Sequence, residues 1–233
     1  MYPHTSLPIR PAIAASHHAA LERFVSSGTW FWGHERHAML KEARHASLCR
    51  LCAESRMALS PFITKGDHDS VTDLPEQVIE VIHRLVTDSG RLTEAWFQSV
   101  VDGGLSAEAY IEIVGLVASV IVLDSYARGL GEDLLSIDAP RREDSPPLRK
   151  TNPDVVDKGA WVPILAAEET PGATLLPSVP NILRAMGLVP SAIQQFFDIM
   201  RAHYGLANLE SALSRPQIEL VAARMSSYND CFY

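Results

Sequence analysis

The chain has 233 residues and a formal net charge of −8, from 20 Lys and Arg against 28 Asp and Glu. With 47% hydrophobic residues and a mean hydropathy of +0.03, it has the composition of a globular protein with a sizeable core. The acidic balance argues against electrostatic binding of nucleic acid or of an anionic membrane surface. The longest apolar run, Ile113 to Leu123, is shorter than the roughly 20 residues that cross a bilayer.

Cysteine usage is the most informative feature of the composition. The N-terminal segment has prolines and no continuous apolar core, so we expect no secretory signal and a cytoplasmic location. Three cysteines are a poor disulfide framework in that compartment. Cys49 and Cys52 form a C-x-x-C pair, and Cys231 lies near the C-terminus. A C-x-x-C pair in a protein that is not exported favours redox chemistry or metal binding.

The first part of the chain has a helical pattern. Residues 1–28 are predicted to form an irregular arm that ends in a short amphipathic piece, Ala19 to Val25. A helical stretch follows from His34 to Ser60 and contains the C-x-x-C pair. The next helix is predicted to start at an acidic cap, Asp73-Leu-Pro-Glu76, and Thr93 to cap a third helix.

The longest predicted element is apolar almost all round from Ala109 to Leu123, which indicates a central buried helix that starts at Ser106. It completes a predicted first helical half, residues 29–135, that carries the C-x-x-C pair. Residues 136–160 are charged, rich in proline and non-periodic, as is typical of a linker.

A second helical half is predicted over residues 161–233. A short helix is predicted to start at Asn181, and a longer one at Pro190. The second of them places apolar residues on one face: Ile193, Phe196, Phe197, Met200 and Tyr204. A capping box, Ser214-Arg-Pro-Gln217, predicts a last helix with an apolar stripe from Ile218 to Tyr228. Since no strand is indicated, the sequence predicts an all-α fold.

Two segments carry a resemblance to a known family. The first runs from LCRLCAESRMALSP, with the complete C-x-x-C pair, through EVIHRLVTDSGRLTEAWFQSVVDGGLSAEAYIEIVGLVASV. The second joins NILRAMGLVP to LSRPQIELVAARMSSYNDCFY, which contains Glu219 and Cys231. In these segments the chain resembles the alkylhydroperoxidase D-like and carboxymuconolactone decarboxylase superfamily, and within it the peroxidase-related proteins. That superfamily carries a Glu at a fixed distance before C-x-x-C-x-x-x-H. The resemblance covers roughly two thirds of the chain in swapped order, and it implies two related helical halves packed around a buried central helix.

The resemblance implies thiol-dependent reduction of hydroperoxides, with a hydroperoxide substrate, an external thiol reductant, no cofactor and a homo-oligomeric assembly. It assigns the peroxide-reacting role to Cys52 and the resolving role to Cys49, which would form a disulfide with it. Both motifs depart from the family's pattern. Arg56 stands where the family has His, and the sequence stops at Tyr233, before the position of the second motif's other cysteine and His.

Proton transfer in the first motif requires a residue other than Arg56, because arginine stays protonated. The candidates are Glu42, upstream of the C-x-x-C pair, and His83, on the edge of the apolar face of the next helix. Glu219 and Cys231 match the family spacing and form a second, incomplete candidate pair.

Several alternatives remain open. The cysteines can be buried thiols at helical spacing, and His83 a core histidine. The same fold can carry a non-redox decarboxylase or lyase, or serve as a non-catalytic scaffold. A zinc site is a further alternative, because nitrogen and sulfur side chains crowd one stretch: His34, His37, Glu42, His45, Cys49 and Cys52. A structural zinc site usually takes a second ligand pair from another element, so we predict surface histidines and no metal here.

Overall fold

The computed structural model describes residues 1–140, 145–166, 181–204 and 212–228. Within these ranges the chain forms nine α-helices and two very short strands. The helices are α1 (Pro11–Phe24), α2 (Gly33–His45), α3 (Arg50–Met57), α4 (Glu76–Thr87), α5 (Glu94–Asp102), α6 (Ala107–Gly129), α7 (Asn181–Ala185), α8 (Pro190–His203) and α9 (Arg215–Tyr228). The strands β1 (Val155–Val156) and β2 (Ile164–Leu165) pair antiparallel, with Val155 opposite Leu165. The all-α prediction is confirmed.

Helix α6 is the centre of the fold, as its sequence predicts. Ser106 caps it, since the hydroxyl accepts a hydrogen bond from the Ala109 N–H. Helices α1, α2, α4 and α8 pack around α6, and α8 packs most extensively. Gly115 allows this close approach, because a Cβ at that position would stand 2.7 Å from the Cβ of Ala192 on α8. The apolar character of α6 therefore reflects burial in the core.

No helix in the described ranges is by itself long and apolar enough to span a membrane. Helices α5 and α6 meet the criteria of length and composition only as a pair, and that pair is bent by 117° at the break between them. Thr93 caps α5 as predicted, because its hydroxyl accepts from the Trp96 N–H.

A buried ion pair holds α2 against α6 and α8. Arg36 Nη1 donates to Glu112 Oε1 at 2.7 Å, and Nη2 donates to Gln195 Oε1 at 2.6 Å. Glu112 also accepts from the Trp30 N–H at 2.7 Å. The Arg36 and Glu112 side chains are 7% and 1% exposed, so each charge depends on its partner in a medium that solvates ions poorly. This contact fixes the position of α2, which carries Glu42.

The predicted irregular arm is wrong for most of its length. Helix α1 begins at Pro11, a residue that suits the first turn because it has no N–H to satisfy. The buried side chains of α1 are Ile13, His17, Ala20 and Phe24. They follow helical spacing, but a histidine within the stripe hides the apolar period from a sequence reading.

Three predictions about the helices need correction. Asp73 does not cap α4, whose N-cap is Pro75 without a side-chain hydrogen bond. On α8 the buried residues are Ala192, Gln195 and Ile199 rather than the predicted aromatic face. This side faces inward because Ala192 packs closely against Gly115 of α6 and Gln195 accepts a hydrogen bond from the buried Arg36. In α9 the capping-box contact between Ser214 N–H and the Gln217 side chain is present, yet no residue of this helix is buried.

Candidate functional site

The helical stretch predicted around the C-x-x-C pair is broken at Cys49. Helix α2 ends at His45, a 3-10 turn covers Ala46–Leu48, and Cys49 takes an extended backbone (φ −66°, ψ 125°) as the N-cap of α3. Cys52 follows in the first turn of α3. Both sulfurs therefore lie at a helix N-terminus, where unpaired N–H groups and the helix dipole favour a thiolate.

Two sulfur and two nitrogen atoms lie close together at the N-terminus of α3. His68 Nδ1 is 3.5 Å from Cys49 Sγ and 3.5 Å from Cys52 Sγ. His83 Nδ1 is 3.3 Å from Cys52 Sγ. All four donor atoms lie within 4.8 Å of one another. Both cysteines are free thiols and, like His83, are buried, while the His68 side chain is 10% exposed. We call these four residues the Cys–His cluster.

A carboxylate holds each of the two histidines from the side away from the sulfurs. His83 Nε2 donates to Glu42 Oε1 at 2.8 Å, and His68 Nε2 donates to Glu80 Oε2 at 2.7 Å. The other oxygen of Glu42 accepts from three groups: the hydroxyls of Ser70 and Thr72 and the N–H of Val71. Because a carboxylate only accepts, these bonds place a hydrogen on Nε2 and direct Nδ1 of each imidazole at the thiols.

The cluster also shifts the acidity of its members. Burial acts most strongly on His68 and disfavours its imidazolium, but hydrogen bonds to Cys52, to its carboxylate partner and to Cys49 raise its pKa to about 10. Burial also disfavours the charged form of Cys49 and by itself would raise the pKa of this thiol. Hydrogen bonds from the Cys52 N–H and from His68 outweigh burial, and the pKa of Cys49 is lowered. At His83 burial prevails and the pKa is lowered. These three pKa shifts favour a neutral His83 beside an ion pair of the His68 imidazolium and the Cys49 thiolate.

Two neighbouring cavities give access to the cluster. The smaller, of about 220 Å³, is lined by Cys52, His68, Glu80 and Arg84 among others. The larger, of about 450 Å³, shares His68 and Glu80 with the first and extends to Trp96, whose indole N–H donates to Glu80 at 2.8 Å. Cys52 lies on a cavity wall, whereas Cys49 lines neither cavity.

The structure brings together four of the six predicted site residues: Cys49, Cys52, Glu42 and His83. Glu219 is not part of this site. It lies on α9, where it forms an ion pair with Arg215 at 2.6 Å and accepts from the Tyr204 hydroxyl. Cys231 lies outside the described residues.

Sequence reasoning missed His68 and Glu80. His68 lies in the polar loop between α3 and α4, 16 residues after Cys52, where no period or motif marks it. The available signal is its place between two aspartates, in G-D-H-D, downstream of an otherwise incomplete C-x-x-C motif. Arg56, which occupies the family's His position, is exposed, so the histidine of this site comes from other elements.

The zinc ligands weighed from the sequence are only partly present in the cluster. The two thiols contribute donor atoms, while Glu42 lies behind His83. The other donors come from His68 and His83, which lie outside residues 34–52, the stretch that suggested zinc ligands in the sequence. His34, within that stretch, is exposed. The second ligand pair that the sequence did not reveal is thus supplied by the loop after α3 and by α4.

No protein-family model matches the chain, and no curated protein or solved structure is significantly similar to it. The resemblance to the alkylhydroperoxidase D-like superfamily therefore rests on the motifs in the sequence.

Proposed function

We propose that the protein is a thiol-dependent peroxidase that reduces hydroperoxides through Cys52 and Cys49. The observation that carries this proposal is the row Glu42–His83–Cys52, in which a buried carboxylate orients an imidazole whose Nδ1 is 3.3 Å from the sulfur. A nucleophile, a base within reach of it and a third group that orients the base form the general arrangement for nucleophilic catalysis.

Cys52 is the attacking residue because it lines a cavity and contacts both imidazoles. His83 Nδ1 takes the thiol proton, and the sulfur attacks one oxygen of the hydroperoxide. An S–O bond forms, the O–O bond breaks, and the alcohol leaves with the proton returned from His83. Cys52 is then a sulfenic acid.

Cys49 completes the reaction as the resolving cysteine, with its sulfur within 4.8 Å of that of Cys52. Its sulfur attacks the sulfenic sulfur, an S–S bond forms, and hydroxide leaves as water with a proton from His68. Two thiols and one hydroperoxide thus give a disulfide, an alcohol and a water molecule. An external thiol returns the disulfide to the reduced pair by exchange.

The fold that we propose is alkylhydroperoxidase D-like with two related halves, and the all-helical architecture and the C-x-x-C pair support it. With it come a homo-oligomeric assembly and a cytoplasmic location, where an external thiol reductant is present. These features rest on the resemblance of the motifs.

Peroxide consumption by purified variants tests the assignment. With dithiothreitol as reductant, Cys52→Ser is expected to lose at least about 1,000-fold of the wild-type rate, since removal of a nucleophile costs more than removal of a general base. Without reductant, Cys49→Ser is expected to consume one equivalent and then stop, with a sulfenic acid on Cys52 that a dimedone adduct reveals by mass. Arg56→Gln, an exposed change next to the pair, serves as the control and keeps the wild-type rate. A Cys52→Ser variant with unchanged activity would overturn the proposal.

A further inference from the structure

We infer that Cys49, Cys52, His68 and His83 bind one Zn²⁺ ion while both thiols are reduced. The four residues supply two sulfur and two nitrogen donors, the Cys₂His₂ set of structural zinc sites. They come as two pairs, one from the start of α3 and one from the following loop and α4. Zinc binding does not depend on the proposed peroxidase reaction.

The distances within the cluster fit a tetrahedral ion. Zinc lies about 2.3 Å from sulfur and about 2.0–2.1 Å from nitrogen, so the S···N edge of a tetrahedron is about 3.5 Å. Three of the four S···N distances in the cluster are 3.5, 3.5 and 3.3 Å. The remaining donor separations stay within 4.8 Å, so a small inward movement completes the coordination sphere.

The carboxylates behind the histidines are a second, independent feature of a metal site. A zinc-bound histidine usually donates its other ring N–H to a carboxylate, which fixes the tautomer and raises the basicity of the ligand. Glu42 and Glu80 do this for His83 and His68. Proton transfer to the peroxide uses only His83 with Glu42. A four-coordinate zinc site also requires the second pair, His68 with Glu80.

Charge and ligand type select the ion. Two thiolates and two neutral imidazoles neutralise a divalent cation, so the ion is buried without net charge. Sulfur and imidazole donors suit zinc, whereas magnesium and calcium require oxygen ligands. Since all four positions are protein side chains, the site is closed in the manner of a structural or regulatory zinc.

One consequence links the ion to the redox state, and this part does rest on the proposed function. Zinc occupies the sulfur of Cys52 and therefore inhibits peroxide reduction. Hydrogen peroxide reverses the state: the zinc-bound dithiolate, one H₂O₂ and two protons give the disulfide, free Zn²⁺ and two water molecules. The disulfide has no thiolate to offer, so the oxidised protein releases the ion.

Titration of the reduced, metal-free full chain with Zn²⁺ in competition with a chromogenic chelator tests the site. We expect one ion per chain, and Co²⁺ in its place should give the intense visible bands of tetrahedral cobalt with a sulfur-to-metal charge-transfer band. His68→Ala is expected to weaken zinc binding more than 100-fold, and Glu80→Gln by about 10–100-fold. His34→Ala, an exposed histidine before the pair, is the matched control and leaves affinity unchanged.

Cys49→Ser is a second variant in case His68→Ala does not fold, and it should remove the charge-transfer band and most of the affinity. Treatment of the wild type with one equivalent of hydrogen peroxide should abolish binding, and dithiothreitol should restore it. Absence of stoichiometric binding, or octahedral cobalt spectra, overturns the zinc site. A protein that binds zinc but consumes no peroxide contradicts the peroxidase alone, and one that consumes peroxide without binding zinc contradicts the site alone.

Discussion

Two pairs of histidines lie in the interior of this protein, and they are built differently. In the Cys–His cluster, His68 and His83 each direct Nδ1 at thiols and donate Nε2–H to a carboxylate. At the other pair, His17 Nε2 contacts His203 Nε2 at 2.6 Å, and His17 Nδ1 contacts the Tyr2 hydroxyl at 2.5 Å. No carboxylate is bonded to these rings among the described contacts. Both pairs bury imidazoles, but only one aims them at reactive atoms.

The difference shows how the environment assigns a role to a buried histidine. Burial, together with the charge of His203, lowers the pKa of His17 to about 4, which keeps that ring neutral as a packing and hydrogen-bonding group between α1 and α8. In the cluster, hydrogen bonds to thiols and carboxylate raise the pKa of His68 to about 10 despite burial. A carboxylate on the far nitrogen thus distinguishes the pair of histidines to which we assign the proposed chemistry.

The His17 pair gives the largest expected effect, on stability against pH. The folded pKa of about 4 lies below the usual 6.5, so the unfolded chain binds a proton first as the pH falls. The contribution of His17 to the free energy of unfolding is therefore fully present above pH 6.5. It is lost between pH 6.5 and 4, which lowers the free energy of unfolding by about 3 kcal/mol. Urea denaturation at a series of pH values measures the decline.

Two variants isolate the contribution of His17 from general acid effects. His17→Gln should flatten the decline over this window, whatever its effect on stability at pH 7. His18→Gln, at the exposed neighbouring position, should retain the wild-type slope. Equal slopes in all three proteins would show that His17 does not titrate as its surroundings indicate.

Glu42 gives the next effect, on the rate of peroxide consumption. Glu42→Gln keeps an oxygen that accepts from His83 but removes the negative charge that stabilises the imidazolium. We expect kcat to fall about 10–100-fold at unchanged KM, because Glu42 positions the base and does not contact the peroxide. Glu54→Gln, an exposed change on α3, serves as the control. A loss that appears in KM rather than in kcat would contradict the positioning role.

The smallest effect is expected at Thr72, whose hydroxyl donates to Glu42 Oε2 at 2.6 Å. Thr72→Val removes one hydrogen bond to the buried Glu42 carboxylate. It should lower the free energy of unfolding by about 1 kcal/mol, and by no more than about 3 kcal/mol. Thr151 also donates to a carboxylate, that of Glu108, but at the surface. Thr151→Val should change the stability by less than about 0.5 kcal/mol, and equal losses would mean that burial does not set the difference.

The sequence predicted the parts of this protein that local pattern determines. The all-helical fold, the central helix and the Ser106 and Thr93 caps follow from periodicity and capping residues close in the chain. The Cys49–Cys52 pair with Glu42 and His83 was predicted from a motif and its neighbours. His68 was not, because it lies in a loop whose path depends on hydrogen bonds to distant groups. Asp69 accepts from the Arg50 N–H, and Ser70 and Thr72 donate to Glu42. The orientation of α8 was missed for a similar reason, since the buried partner of Gln195 is Arg36, 159 positions away in the chain.

Sequence separation gives the two histidine pairs different histories during folding. Among the hydrogen bonds of the Cys–His cluster and its carboxylates, the largest sequence separation is 41 positions, between Glu42 and His83. The contact of His17 with His203 spans 186 positions. Closing a short loop costs less chain entropy and takes less time than joining distant segments. We therefore expect the thiols and imidazoles to meet early, before α8 returns to pack on α1. The reactive site then forms while the two ends of the chain are still apart.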